Sequence, residues 1–461
     1  MTPRWTSCRA RLAAGAVGMA LVVGACSQTS PASDSTSASV GERAAVRPAS
    51  SLPPGTSSTT TPAPPSPPTT PAAPTTTTPV VRATSVWTTP ISQLTPGDQR
   101  WADRLCRYGD VWGSCGDRWT AEMMGPAGND YSIPLYDAST ATTQMLVRRK
   151  NAARWPGIFN VGSTTPMPWN PLEWFPSRGK DGYMIVRDPD TGYEWGFWNV
   201  SWWNHQTDVN NNLQCDPILG GSAENLPPPL GFGYDPNTML CAASAFQVRD
   251  PKGRPVDTRT WKGNYPGATG GGWPIGEMVV TPDQVASGAI RHALHFYSAN
   301  TMDGPECPRE RRNEIGVTCG GAVAPAGQLE KTYEDGQPIA QQVPEGTRFS
   351  LQLTDAQIEA WLNSRGYSGA LRTTARTIAV ALRDYGWFLG DSSPTSAFWV
   401  FDSSPTARTK WRQLGVKGDG KDLLVGLVKP TNIKAWAPPT MTCADGSRSQ
   451  WYCWAVDGSY G

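Results

Sequence analysis

The chain has 461 residues, with 40 Lys and Arg against 39 Asp and Glu and a net charge of +1. A balance this even supplies no basic face for nucleic acid and no acidic run. Its length is ample for a large core.

Residues 1–25 carry an export signature: Arg4, Arg9 and Arg11 precede an apolar core, Leu12 to Val23, which is short for a membrane span. The core ends in Val23-Gly24-Ala25-Cys26. Small residues before a cysteine suit a lipoprotein peptidase, whose product carries lipid on the Cys26 thiol. The expectation is a mature chain moored at Cys26 to the outer face of the cell membrane. Residues 26–85 are almost wholly Ser, Thr, Pro and Ala. They cannot bury enough apolar surface to fold, and stay extended as a tether at roughly 3 Å per residue. Residues 86–461 are the predicted globular part.

Beyond Cys8 and Cys26, the cysteines fall as sequential pairs: Cys106 with Cys115, Cys215 with Cys241, Cys307 with Cys319, and Cys443 with Cys453. An even number in an exported chain implies disulfides, and short closable loops favour neighbour pairing, although spacing leaves the connectivity open. No C-x-x-C pair is present, so zinc is not expected. Asp208-Val-Asn-Asn-Asn212 opens like a calcium loop, but Leu213 and Leu219 occupy the places of its glycine and closing glutamate, leaving only a weak calcium signal. No other cofactor is predicted.

Along the folded part, Ser85–Ile91 reads as extended and Trp101–Arg107 as a short helix. Tyr131–Tyr136 and Gln144–Val147 read as strands around a turn at Asp137–Ser139. The clearest hairpin is Tyr183–Arg187, a turn at Asp188-Pro-Asp-Thr-Gly192, then Tyr193–Trp203, since Pro presets φ and Gly supplies the left-handed position. On the second strand Glu194, Gly196 and Trp198 share a face, which suits a sugar platform; a surface glutamate amid aromatic packing is the alternative. Trp202, Trp203 and His205 extend that aromatic and polar run.

Gly263–Phe296 joins a glycine run, Trp273, an apolar strand Ile275–Val280 and two of the chain's three histidines. Thr281 caps a helical turn with Pro282 at its first position, and Gly288 stops it. His292 and His295 lie three apart, on opposite faces of a strand; His292 is a candidate base or ligand, and the alternative is one hydrogen-bonded core histidine and one surface histidine. Later, Asp355–Ser364 and Leu371–Tyr385 read as helices, the second with an apolar stripe. Trp387–Asp391 and Ala397–Phe401 read as a strand pair. Gly415–Asp422 imitates a phosphate loop but has Asp422 where a hydroxyl must hold magnesium, and is read as a turn. The fold class expected is mainly β: a sandwich or jelly roll with a few peripheral helices, stapled by disulfides.

The segments Ser85–Ile91, Asp188–Trp198, Gly288–Phe296, Thr301–Gly304, Pro344–Leu351 and Ala381–Asp391, in this order, resemble a group of exported actinobacterial proteins of unassigned activity. The resemblance covers about 85–401. It implies a shared architecture and carries no catalytic assignment.

With 21 tryptophans and an envelope tether, polysaccharide is the expected ligand. No G-x-S-x-G or H-E-x-x-H motif is present. Glycoside hydrolysis needs two carboxyl groups, about 5 Å apart for retention. Glu194 is one candidate and Asp303 or Asp391 the other, with His292 orienting them. In a lyase variant His292 is the base and Tyr297 the acid. A non-catalytic wall-binding lipoprotein is the competing expectation, with Trp198, Trp202 and Trp203 as platform and His205 and Trp273 beside it.

Overall fold

The turn chemistry at Asp188–Gly192 does close a hairpin: the Asp188 N–H donates to the Tyr193 carbonyl at 2.9 Å, and Gly192 takes φ 72°. The computed structural model describes residues 85–108, 120–121, 133–149, 166–170, 173–177, 182–198, 201–202, 240–242, 244–247, 254–260, 270–298, 301–302, 321–326, 342–392, 397–398, 400–418, 420–443 and 446–451. All belong to one unit, Thr78–Gly461. The predicted signal, the Cys26 lipidation site and the tether up to residue 84 lie outside the described residues.

In chain order the strands are β1 (Thr120–Ala121), β2 (Leu135–Asp137), β3 (Thr143–Arg149), β4 (Pro166–Trp169), β5 (Met184–Arg187), β6 (Glu194–Trp198), β7 (Ser201–Trp202), β8 (Leu240–Ala242), β9 (Ser244–Gln247), β10 (Leu294–Ser298), β11 (Arg348–Leu351), β12 (Trp387–Ser392), β13 (Ala397–Phe398), β14 (Ile433–Trp436), β15 (Met441–Thr442) and β16 (Arg448–Ser449). The helices are α1 (Gln99–Tyr108), α2 (Pro282–Ala286), α3 (Asp355–Ser364), α4 (Gly369–Asp384) and α5 (Pro405–Gln413).

The largest sheet is mixed, in the order β1-β13-β10-β12-β11-β14. Two four-stranded sheets run β2-β5-β6-β9 and β4-β3-β8-β7, and β15 pairs β16. Several sheets are therefore present, with no barrel among the described residues, but helix is as prominent as strand and a mainly β composition does not describe them. The predicted strand pair is also corrected: β12 and β13 are not hydrogen-bonded to each other but flank β10, parallel on one side and antiparallel on the other.

Alternation along β5 explains its unbroken apolar run. Ile185 enters the main core, whereas Met184 and Val186 face a smaller cluster with Trp169, Trp174 and Phe197. β5 therefore lies between two cores. Trp87, Trp169, Trp174, Trp273, Trp387 and Trp411 are all fully buried. Among tryptophans whose side chains are described, none is exposed, so the aromatic abundance here is packing and does not display sugar platforms.

The two predicted helices are α3 and α4. Thr354 caps α3 in a reciprocal box with Gln357, and Ile378, Ala379 and Leu382 of α4 are buried. The expected strand at Ile275–Val280 is instead a 3₁₀ turn, Gly276–Met278, followed by a single bridge from Val280 to Phe401.

Cys443 is disulfide-bonded. The side chains of the other cysteines named above lie outside the described residues, so the neighbour pairing cannot be placed on the fold.

Candidate functional site

Register brings Arg187 and Glu194 opposite each other on the β5–β6 hairpin, on the face shared by Ile185 and Gly196. Glu194 is wholly buried. Its carboxyl lies against the 3₁₀ turn, where a Cβ on Gly276 would come within 2.5 Å of Oε2. Glycine at 276 is therefore a close-approach residue. Neither carboxyl oxygen has a hydrogen bond of ordinary geometry, although the N–H groups of Gly276 and Ile275 lie close enough to favour its ionised form.

Burial pushes the Glu194 carboxyl from 4.5 up to about 8; Arg187 opposes that and Glu277 adds to it. The Arg187 guanidinium pairs instead with Glu277, which also accepts from Thr258 Oγ1 at 3.0 Å. Thr258 Oγ1 bonds the Gly192 carbonyl at 3.0 Å, tying the hairpin turn into the cluster. Among the described residues the second carboxyl group acting on Glu194 is that of Glu277. Glu277 lies within the glycine-rich stretch, two residues after Ile275, but it carried no chemical signal beyond being acidic.

His292 is 5% exposed, and burial lowers it to about 4, with Arg187 adding to the effect. Its Nδ1–H donates to the Ala293 carbonyl at 2.9 Å, so Nε2 accepts from Gln284 Nε2 at 3.1 Å. The same Gln284 accepts from the Thr281 N–H at 2.9 Å in the α2 capping box. The imidazole is neutral and both its nitrogens are bonded. His295 is also buried and held down to about 3. It packs edge-on against Trp273 at 6.0 Å, where a Cβ on Gly390 would lie 2.2 Å from both rings.

Glu194 and His292 both lie within the field of Arg187, and each is buried. Asp391 sits on β12 opposite Tyr297, is 8% exposed, and its Oδ1 accepts from the Ser392 N–H at 2.9 Å. The charges acting on Glu194 are Arg187 and Glu277. Tyr297 is 4% exposed. Trp273, expected near ligand, is 0% exposed and has no face for a sugar. Trp198 is half-buried against the main core. Trp202 lies in β7 with no side chain described, and Asp303, Trp203, His205 and the Asp208–Asn212 loop fall outside the described residues.

An open concavity lies elsewhere. A groove of about 720 Å³ runs between Pro90–Ser92, the end of β11 with the start of α3, and the end of α4 at Arg383–Tyr385. Behind it the buried Arg348 guanidinium bonds the carbonyls of Val86 (3.0 Å), Thr89 (2.6 Å) and Tyr385 (2.6 and 3.0 Å). It stacks 5.1 Å from the Phe388 ring. Burial lowers its pKa to about 9. Arg348 thus fixes Thr89, next to Pro90 on one wall, and Tyr385 on the other. A run of hydroxyl, amide and tyrosine residues at this groove carries no motif, which is why it was not legible in sequence.

Among the described residues no group of three or more His, Cys, Asp or Glu is placed to hold a metal, and no helix is long and apolar enough to cross a membrane. No family model, curated protein or solved structure matches the chain.

Proposed function

We propose that this chain is a lipid-moored surface protein that binds an envelope or extracellular polysaccharide without cleaving it. The observation that carries this reading is the separation of the two sites. Among the described residues the candidate carboxyl groups, Glu194 and Asp391, are packed away, whereas the open groove is lined by no free carboxylate pair. Asp384, its one acidic lining residue, is bonded through both oxygens to Arg383, at 2.7 and 3.2 Å. Hydrolysis needs two carboxyl groups flanking the scissile bond. Binding needs only complementary hydrogen-bonding groups and an apolar face, which Gln352, Gln357 and Ser92 beside Pro90, Leu353 and Tyr385 supply.

The lipid at Cys26, the extended tether, the outward-facing location, the neighbour pairing of the cysteines and a sandwich-like stacking of the sheets belong to the same reading. The signal and tether composition support the first three, and an exported, turn-rich chain supports the others. Kinship with the exported actinobacterial group is part of the proposal and rests on its ordered motifs.

The test is a retention assay on insoluble envelope glycan with parallel measurement of reducing sugar and of unsaturated uronate. Retention without product is expected, and Tyr385→Ala lowers it about tenfold. Product release that Glu194→Gln abolishes would restore the hydrolase reading.

A further inference from the structure

We infer that the ligand of the groove is an uncharged polyhydroxylated chain and that uronate- or phosphate-bearing polymers are refused; this rests on the glycan-binding reading above. Arg383 is the one cationic residue lining the groove. Its guanidinium is already committed, with Nε and Nη2 to Asp384 (2.7 and 3.2 Å) and Nη1 to Asp355 Oδ1 (2.8 Å). These carboxylates hold its proton more firmly than usual. An anionic ligand would have to displace two carboxylates already seated on the guanidinium, and their like charge would oppose it. On the groove wall itself Arg383 is balanced by Asp384, and Asp355 beyond it is shared between Arg383 and Arg376.

The remaining polar groups form a matched set for hydroxyls. Gln357 Oε1 accepts from Thr354 N (2.8 Å) and Thr354 Oγ1 (3.1 Å), which leaves its Nε2 as the donor. Gln352 Nε2 is engaged by Ser350 Oγ (3.2 Å) and the Leu351 carbonyl (3.4 Å), which leaves its amide oxygen as the acceptor. Ser92 is exposed and both gives and takes a hydrogen bond. A hydroxyl also does both, so a neutral sugar satisfies donor and acceptor without any charge to neutralise.

The experiment measures affinity of the full chain for soluble glucan, mannan and galactan against polygalacturonate and a poly(glycerol phosphate), each at low and high salt. Binding to at least one uncharged polymer, independent of salt, with at least tenfold weaker binding of both anionic ones, is the expected result. Equal or tighter binding of an anionic polymer, weakened by salt, overturns the inference while leaving a glycan-binding protein. Failure to bind any polymer removes the glycan reading and the inference with it. A gain-of-function arm uses Asp355→Asn with Asp384→Asn, checked for folding by circular dichroism. Freeing Arg383 should raise polygalacturonate binding about tenfold at low salt, and no gain in a folded variant would refute the role given to the committed guanidinium.

Discussion

Glu194→Gln is the sharpest test of the buried hairpin cluster. The folded chain holds the Glu194 proton until about pH 8, whereas a solvated carboxyl releases it near 4.5. Stability from this group is therefore fully present below pH 4.5 and is lost as pH rises through 8. Across that range the loss is on the order of 5 kcal/mol. Arg348, lowered by burial to about 9, and Tyr136, raised by burial above 10, act only at higher pH. Asp402, raised from 3.8 to about 6 by burial, gives the same sign as Glu194 but at lower pH. His292 and His295, lowered from 6.5 to about 4 and about 3, act with the opposite sign: their contribution is present above 6.5 and lost as pH falls through the folded values. Among the described groups the slope between pH 6.5 and 8 belongs to Glu194, whose contribution should fall by about 2 kcal/mol there. Glutamine keeps the shape without the ionisation, so its urea-unfolding free energy should stay flat across that window. Parallel slopes in variant and wild type would show that residue 194 carries no buried proton.

Gly390→Ala forces a Cβ to 2.2 Å from His295 Nε2 and Trp273 Cζ2, both held in packing, and should cost at least about 3 kcal/mol by thermal unfolding. Arg348→Met leaves the carbonyls of Val86, Thr89 and Tyr385 without their donor. A loss of roughly 3 kcal/mol or more is expected, with proteolysis near residue 90 accelerated and groove binding weakened. Below pH 6.5, wild-type stability should fall faster than that of a His292→Gln variant, because glutamine cannot take up a proton in the unfolded chain; equal acid sensitivity would contradict the burial of His292 as a neutral ring.

What was legible in sequence was local. The Asp188–Gly192 turn, the Thr281 and Thr354 caps and the apolar stripe of α4 are each set by residues within a turn or two, and all form. Features set by distant partners were not. Ile275–Val280 looked like a strand, but its first half turns tightly so that Gly276 can lie on Glu194, a contact that no property of the segment announces. Arg187 finds Glu277 from 90 residues away. β10 slots between β12 and β13, so two strands adjacent in sequence do not pair with each other. The tryptophans show a related limit: composition records how many indoles there are, and the layering of two cores around β5 is what buries described ones such as Trp169, Trp174 and Trp273.

Arg348 has a mechanical consequence. Were the chain moored by its amino-terminal end, as proposed, every tug would enter the fold at residues 85–90. There the Val86 and Thr89 carbonyls are bonded to a side chain rooted in β11, a strand paired on both sides, by β12 and β14. Force entering at that point would be shared, through these bonds, with a strand inside the sheet and not with an edge strand.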